Sequence, residues 1–229
     1  MDHLSKFSSG GGNEAERPFP PLHAIVDVDV AAGADWDPLD LARELLDGGA
    51  RCVQVRAKNL ASGPLLELSR AVVAAAAPFG AIVIVNDRAD VARLAGAAGV
   101  HVGQDDLSPA DARAVVGPDA VVGYSTHTLE QFERGLREPA SYLAIGPVFG
   151  TITKNTGYEA VGLALVEAAA RRAPERPIVA IGGVTLENAA SAWAAGAWSV
   201  AVIGDLLAGG DPRARVASYN RLAEARLRP

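Results

Sequence analysis

Val53-Gln54-Val55-Arg56-Ala57-Lys58, VQVRAK, alternates apolar and polar side chains over its first four residues and closes on a cation. Successive side chains on a β-strand point to opposite faces, so Val53 and Val55 share one face and Gln54, Arg56 and Lys58 the other. The valine face marks a buried strand. An amide and two cations on the opposite face require either water or something negatively charged in front of them.

Similar short apolar runs recur along the chain. Leu22–Asp27, Arg51–Arg56, Ala81–Val85, Gly99–Val102, Ala120–Gly123, Tyr142–Ile145, Ile178–Ile181 and Ser199–Ile203 read as strands. Helical patterns lie between and after them, at Pro38–Asp47, Gly63–Ala76, Ala89–Ala95, Pro109–Val116, Leu129–Arg137, Gly162–Arg172, Leu186–Ala195 and Asp211–Arg226. Asp37, Ser108, Thr128 and Thr185 stand as N-caps, and Gly48-Gly49, Gly96, Gly99 and Gly196 as stops or tight turns. Eight strand–helix pairs in strict alternation predict an all-parallel sheet covered by helices. An open doubly wound sheet and a closed barrel both meet that description. Eight repeats in about 200 residues favour the barrel, and no G-x-G-x-x-G follows the first strand to support a Rossmann fold. The expected fold class is therefore α/β, a (β/α)8 TIM barrel.

Composition narrows the function classes. Hydrophobic residues at 49% and charged ones at 21% of 229 residues suffice for a full globular core. The formal net charge of −6 argues against nucleic acid or an anionic membrane as the main partner. No apolar stretch reaches the roughly twenty residues of a membrane span. Cys52 is the single cysteine, which excludes an intramolecular disulfide or a thiolate metal cage and suits a reducing cytoplasm. Residues 1–21 lack an apolar signal core, and their Ser/Gly run and closing prolines suggest a flexible tail ahead of a single barrel domain over 22–229. The sequence leaves a homo-oligomer open.

In such a barrel, chemistry belongs at the C-terminal ends of the strands. The polar residues collect there: Gln54, Arg56 and Lys58 after the second strand, Asn86-Asp87-Arg88 after the third, and His101 to Asp106 (HVGQDD) around the fourth. GYSTHT follows the fifth strand and GPVFGTITKNTGY the sixth, with Gly182-Gly183 and Ile203-Gly204 after the seventh and eighth. Asp87 and Asp106 follow adjacent strands, and two carboxylates completed by phosphate oxygens and water suit Mg²⁺. The structural alternative is that Asp87 caps the next helix and Asp106 ends a turn. The cations suit a polyphosphate, or else structural ion pairs with Asp27 or Asp87. Gly182-Gly183 and Ile203-Gly204 allow close backbone approach to a second phosphate, or mark ordinary turns. Thr151 to Lys154 (TITK) suits a loop closing over anions, and equally an ordinary surface loop. Cys52 and His101 fit packed interior positions at least as well as chemistry.

Together the segments VQVRAK, VNDRAD, GVHVGQDDL, GYSTHT, AIGPVFGTITK and VAIGGVT, in that order, resemble the thiamine-phosphate synthase family from about Leu22 to Leu222. The resemblance implies a (β/α)8 barrel joining hydroxymethylpyrimidine diphosphate to a thiazole phosphate, releasing pyrophosphate with Mg²⁺ as cofactor. It implies that the pyrimidine diphosphate is held along Gln54, Val55, Arg56, Ala57 and Lys58 and by Asn86, Ser125 and Lys154. Thr151, Ile152, Thr153, Gly183, Ile203 and Gly204 would hold the thiazole phosphate, and Asp87 and Asp106 the metal. Arg56, Lys58, Ser125 and Lys154 would carry the catalytic work. Ala57 stands where that family commonly has Glu, and Gly204 where Ser is common. A related thiazole tautomerase would have histidine in place of Pro147. A non-catalytic phospho-ligand barrel would be expected to have lost some of Arg56, Lys58, Asp87 and Asp106.

Overall fold

The computed structural model describes residues 19–150 and 159–226. Eight parallel strands close into a barrel in chain order, β1 (Leu22–Asp27), β2 (Cys52–Arg56), β3 (Ile82–Asn86), β4 (Gly99–Val102), β5 (Val121–Thr126), β6 (Tyr142–Ile145), β7 (Ile178–Ile181) and β8 (Ser199–Val202). Pairing of Leu22 with Val200 and Ala24 with Val202 joins β8 back to β1. The helices are α1 (Val28–Gly33), α2 (Pro38–Asp47), α3 (Ser62–Ala76), α4 (Ala89–Ala95), α5 (Pro109–Val116), α6 (Leu129–Gly135), α7 (Gly162–Arg172), α8 (Ala189–Ala194) and α9 (Pro212–Ala225). The closed (β/α)8 barrel expected from the strand–helix alternation is the fold observed.

Strand parity divides the core in two. Val53 and Val55 pack outward with Val26, Val83, Val85, Val100, Leu143 and Val202, under the helices. Ile25, Cys52, Ile84, Val121, Tyr142, Ala144, Val179 and Ala201 pack inward. Gln54 and Arg56 lie at the same parity as Cys52, so the polar face of β2 looks into the barrel and toward its mouth. Cys52 is wholly buried, and burial pushes its thiol far above the ordinary range, as suits a packing residue.

Caps set the helix entries. Asp37 accepts from the backbone N–H groups of Leu39 and Asp40, Ser108 from Asp111, and Thr128 from Gln131. Thr185 does not cap a helix. It opens a turn in which Asn188 Oδ1 accepts its N–H at 2.8 Å, and α8 starts only at Ala189. The sequence pattern also passed over α1, which starts where Asp27 Oδ1 accepts from Val30 N at 3.2 Å.

The packing reaches back to Phe19, which is 4% exposed and lies under the barrel with its ring 5.0 Å from that of Tyr142. Pro21 O accepts from Val200 N and from Trp193 Nε1. Phe19→Ala should open a cavity at the barrel floor and lower unfolding free energy by about 3 kcal/mol. A loss below about 0.5 kcal/mol in urea denaturation would show that the ring is not part of the core.

Candidate active site

The barrel mouth holds a cavity of about 440 Å³. Its lining includes Gln54, Arg56, Lys58, Asn86, Asp87, Asp106 and Ser125, seven of the residues singled out from sequence. Each comes from the end of β2, β3 or β5 or from a loop following a strand, so parallel register alone brings them together. Val55 is fully buried on the outward face, and neither it nor Ala57 is in the lining. Gly183, Ile203 and Gly204 also lie outside this cavity's lining, Gly183 in the turn after β7 and Ile203-Gly204 where β8 passes into the short 3-10 helix Gly204–Gly210. Thr151, Ile152, Thr153 and Lys154 lie outside the described residues.

Both cations have carboxylate partners. Arg56 Nη1 bonds Asp27 Oδ2, and Asp27 is 3% exposed. Lys58 Nζ lies 2.6 Å from Asp87 Oδ2, with the lysine half-exposed. The ion-pair alternative for VQVRAK is therefore realised, and it leaves both cations lining the cavity. These pairs also account for Ala57: neither cation depends on an acid at position 57. Asp27 and Asp87 supply the countercharge from β1 and from the turn after β3.

Asp87 is not a cap, because α4 starts behind Arg88 with no side-chain bond to its first turn. Its φ of 63° lies in the left-handed region, tolerated by Asp and Asn far better than by most residues. Its N–H donates to His101 O at 2.7 Å, which fixes the turn against β4. Burial is the main cause raising the Asp87 carboxyl above its ordinary range; the neighbouring Asp106 raises it further, against the opposing bond from Lys58. Asp106 Oδ2 accepts from Gly103 N at 2.8 Å, so this residue does close its turn while standing beside Asp87. Two adjoining carboxylates whose charges repel form a site a divalent cation would relieve. With no third His, Cys, Asp or Glu grouped there among the described residues, the pair fits a hard ion that takes its other ligands from substrate and water.

Several cavity residues were not in the expected set. His101, at 7% exposed, has Nε2 2.8 Å from Ser125 Oγ and Nδ1 2.9 Å from the Tyr142 hydroxyl. Gln54 Nε2 lies 3.3 Å from His23 Nε2, and Gln104 Nε2 donates to Ser125 O at 2.6 Å. His127 Nδ1 lies 2.5 Å from Gly146 O. The strand parity of His101 was the available signal; its partners on β5 and β6 were beyond the reach of local pattern.

On the β7 side, Gly183 has φ +65°, and a Cβ there would lie 2.9 Å from the Phe149 carbonyl carbon. The loop after β7 thus packs directly on the loop after β6. Asp205, after Ile203-Gly204, accepts from Leu186 N at 3.1 Å, from Arg215 at 2.7 and 3.0 Å and from the Tyr219 hydroxyl at 2.5 Å. This ties the last two strand–helix loops to α9.

Such a mouth, with two cations, a carboxylate pair and amide and hydroxyl donors at the C-terminal ends of parallel strands, defines a (β/α)8 barrel that handles anionic small molecules. The sequence profile described as thiamine monophosphate synthase matches residues 22–206, and the chain belongs to that family. The chain is 43% identical over 196 residues to the thiamine-phosphate synthase of Anaeromyxobacter dehalogenans, covering 86% of each chain. It is 45% identical over 204 residues to that of Koribacter versatilis, covering 88% of this chain and 94% of the relative. The solved thiamine phosphate pyrophosphorylase from Pyrococcus furiosus superposes with a TM-score of 0.81 at 27% identity, covering 89% of this chain and 95% of that one.

Proposed function

We propose that the protein couples 4-amino-2-methyl-5-hydroxymethylpyrimidine diphosphate to a thiazole phosphate, giving thiamine phosphate and pyrophosphate. The observation that carries this reading is the convergence of Arg56, Lys58, Asn86, Ser125 and the Asp87–Asp106 pair on one cavity. Membership of the family, and relatives named for this activity, support it.

Arg56 and Lys58, with Lys154 from the loop after β6, would bind the diphosphate oxygens and neutralise the charge that grows as the methylene–oxygen bond breaks. Asp87 and Asp106 would hold Mg²⁺, which when bound supplies further positive charge to the leaving pyrophosphate. Gln54, Asn86 and Ser125 would orient the aminopyrimidine. Thr151, Ile152, Thr153, Gly183, Ile203 and Gly204 would hold the thiazole phosphate so that its ring nitrogen faces the methylene carbon. The electron pair of the broken bond leaves with pyrophosphate, and the nitrogen lone pair forms the new C–N bond. A carboxylated thiazole would also lose CO₂. Proximity supplies much of the rate, and no protein nucleophile is needed. The buried, inert Cys52 fits that scheme.

The same reading takes residues 22–229 as one catalytic barrel, with the tail assigned to 1–21 ending before Phe19, which packs on Tyr142, and the enzyme acting on soluble small molecules in the cytoplasm, as a monomer or a homo-oligomer. Among the described residues no helix is long and apolar enough to cross a membrane. The test is product formation: the purified chain with both substrates and Mg²⁺ should release thiamine phosphate and pyrophosphate in equal amounts, followed by ³¹P NMR. Binding of each substrate with no product across a range of Mg²⁺ concentrations would overturn the reading.

A further inference from the structure

Three polar side chains on three consecutive strands meet inside the barrel, in the lining of the cavity. His101 on β4 touches Ser125 on β5 through Nε2 and Tyr142 on β6 through Nδ1, at 2.8 and 2.9 Å. The His101 and Tyr142 rings stack at 5.5 Å and 21°. They come from strands that are not neighbours, and the residue between them is Gly123, paired in register with His101 on one side and Tyr142 on the other. A Cβ on Gly123 would overlap the Tyr142 ring and hydroxyl and come within 2.5 Å of His101 Nδ1. The interior position that a β5 side chain would fill is thus given over to the histidine–tyrosine contact.

We propose that Tyr142 and His101 are positioning residues that fix the Ser125 hydroxyl as a hydrogen-bond donor into the cavity. This rests on the reading of Ser125 as a contact to the pyrimidine diphosphate. The direction follows from the chemistry of the three groups. A neutral imidazole carries one N–H, and its other nitrogen accepts. A phenol donates more strongly than it accepts, and burial holds the Tyr142 hydroxyl well above its usual range, so it keeps its proton. Tyr142 therefore donates to Nδ1, the ring proton sits on Nε2, and Nε2–H donates to Ser125 Oγ. With its oxygen engaged as an acceptor, Ser125 turns its own proton toward the ligand. The site then favours a ligand that presents an acceptor at this point, such as an unprotonated ring nitrogen, over one that presents an N–H.

The full chain with ¹⁵N-labelled histidine should show the His101 proton on Nε2, and Tyr142→Phe should shift the ring toward the other tautomer. In steady-state assays Tyr142→Phe and His101→Gln should each raise KM for the pyrimidine diphosphate about tenfold, the loss of one oriented hydrogen bond. KM for the thiazole phosphate should stay within about twofold. Phe19→Leu, which loosens the same ring stack without removing a hydrogen bond, should lower Tm and leave both KM values unchanged. A proton on Nδ1 in the wild type, an unchanged pyrimidine KM in Tyr142→Phe, or an equal KM rise in Phe19→Leu would each overturn the proposal. If the wild type forms no thiamine phosphate, the functional reading fails separately. Calorimetric binding of the pyrimidine diphosphate to wild type and Tyr142→Phe then decides the positioning role: a weakened variant supports it and equal affinities overturn it.

Discussion

Asp87→Asn should lower turnover about a thousandfold and leave the Mg²⁺-free protein as stable as before, or more stable. Asn keeps the shape of the side chain and tolerates the φ of 63°, whereas Ala would add backbone strain and blur the result. What Asn removes is the negative charge. In the fold that charge is disfavoured by burial and by Asp106, more than Lys58 offsets, so the carboxyl is raised above its ordinary range. The unfolded chain then gives up this proton at lower pH than the folded chain. The resulting cost to stability is absent below the ordinary carboxylate range and fully present once pH passes the raised folded value. At neutral pH the wild type carries that cost and the variant does not. Thermal denaturation in chelator should therefore give an equal or higher Tm for Asp87→Asn. Added Mg²⁺ should raise Tm in the wild type and not in the variant, because only the wild type gains binding energy in the folded state. Asp106→Asn should behave alike in activity, since Asn can still accept from Gly103 N. Wild-type turnover in either variant would remove the carboxylate pair from the mechanism.

Local pattern carried the barrel where the pattern was strong. β6 and β7 are four-residue apolar runs bounded by polar or turn residues, and Asp37, Ser108 and Thr128 cap the helices they precede. It failed where structure is short or polar. The six residues of α1 are too few to show a 3.6-residue period, and that helix exists because Asp27 caps it. β5 runs on to Thr126, beyond its apolar start, because Tyr124, Ser125 and Thr126 pair with Leu143, Ala144 and Ile145 and Thr126 Oγ1 donates to Ala144 O at 2.9 Å. The cations and carboxylates of the site were legible because they stand in short motifs at strand ends. Asp27 and Asp87 were legible as possible partners, but not which acid meets which cation: Arg56 finds Asp27 across 29 residues, and likewise His101 finds Tyr142 across 41. Such pairs are set by closure and register of the barrel, where a slip of one residue would turn each side chain to the other face.

The Arg56–Asp27 pair separates folding from binding in one experiment. Arg56→Met should lower unfolding free energy by about 3–5 kcal/mol, because it leaves the Asp27 carboxylate, 3% exposed, without its cation. Adding Asp27→Asn should restore most of that loss. The neutral amide needs no countercharge, and Asn caps α1 as well as Asp does. Activity should follow a different order. Arg56→Met should lower kcat/KM for the pyrimidine diphosphate about a hundredfold or more, and the stable double variant should be no better, since neither can place a guanidinium on the diphosphate. Asp27→Asn alone keeps the guanidinium but not the carboxylate that holds it. Its expected result is a fold of near-native stability with an intermediate loss, chiefly in KM for the diphosphate. Lys58→Met should be milder in stability, below about 1 kcal/mol, because its pair with Asp87 is half-exposed. If the double variant regained activity along with stability, Arg56 would be a structural cation closing the barrel mouth, and the diphosphate would have to be held by Lys58 and its neighbours alone.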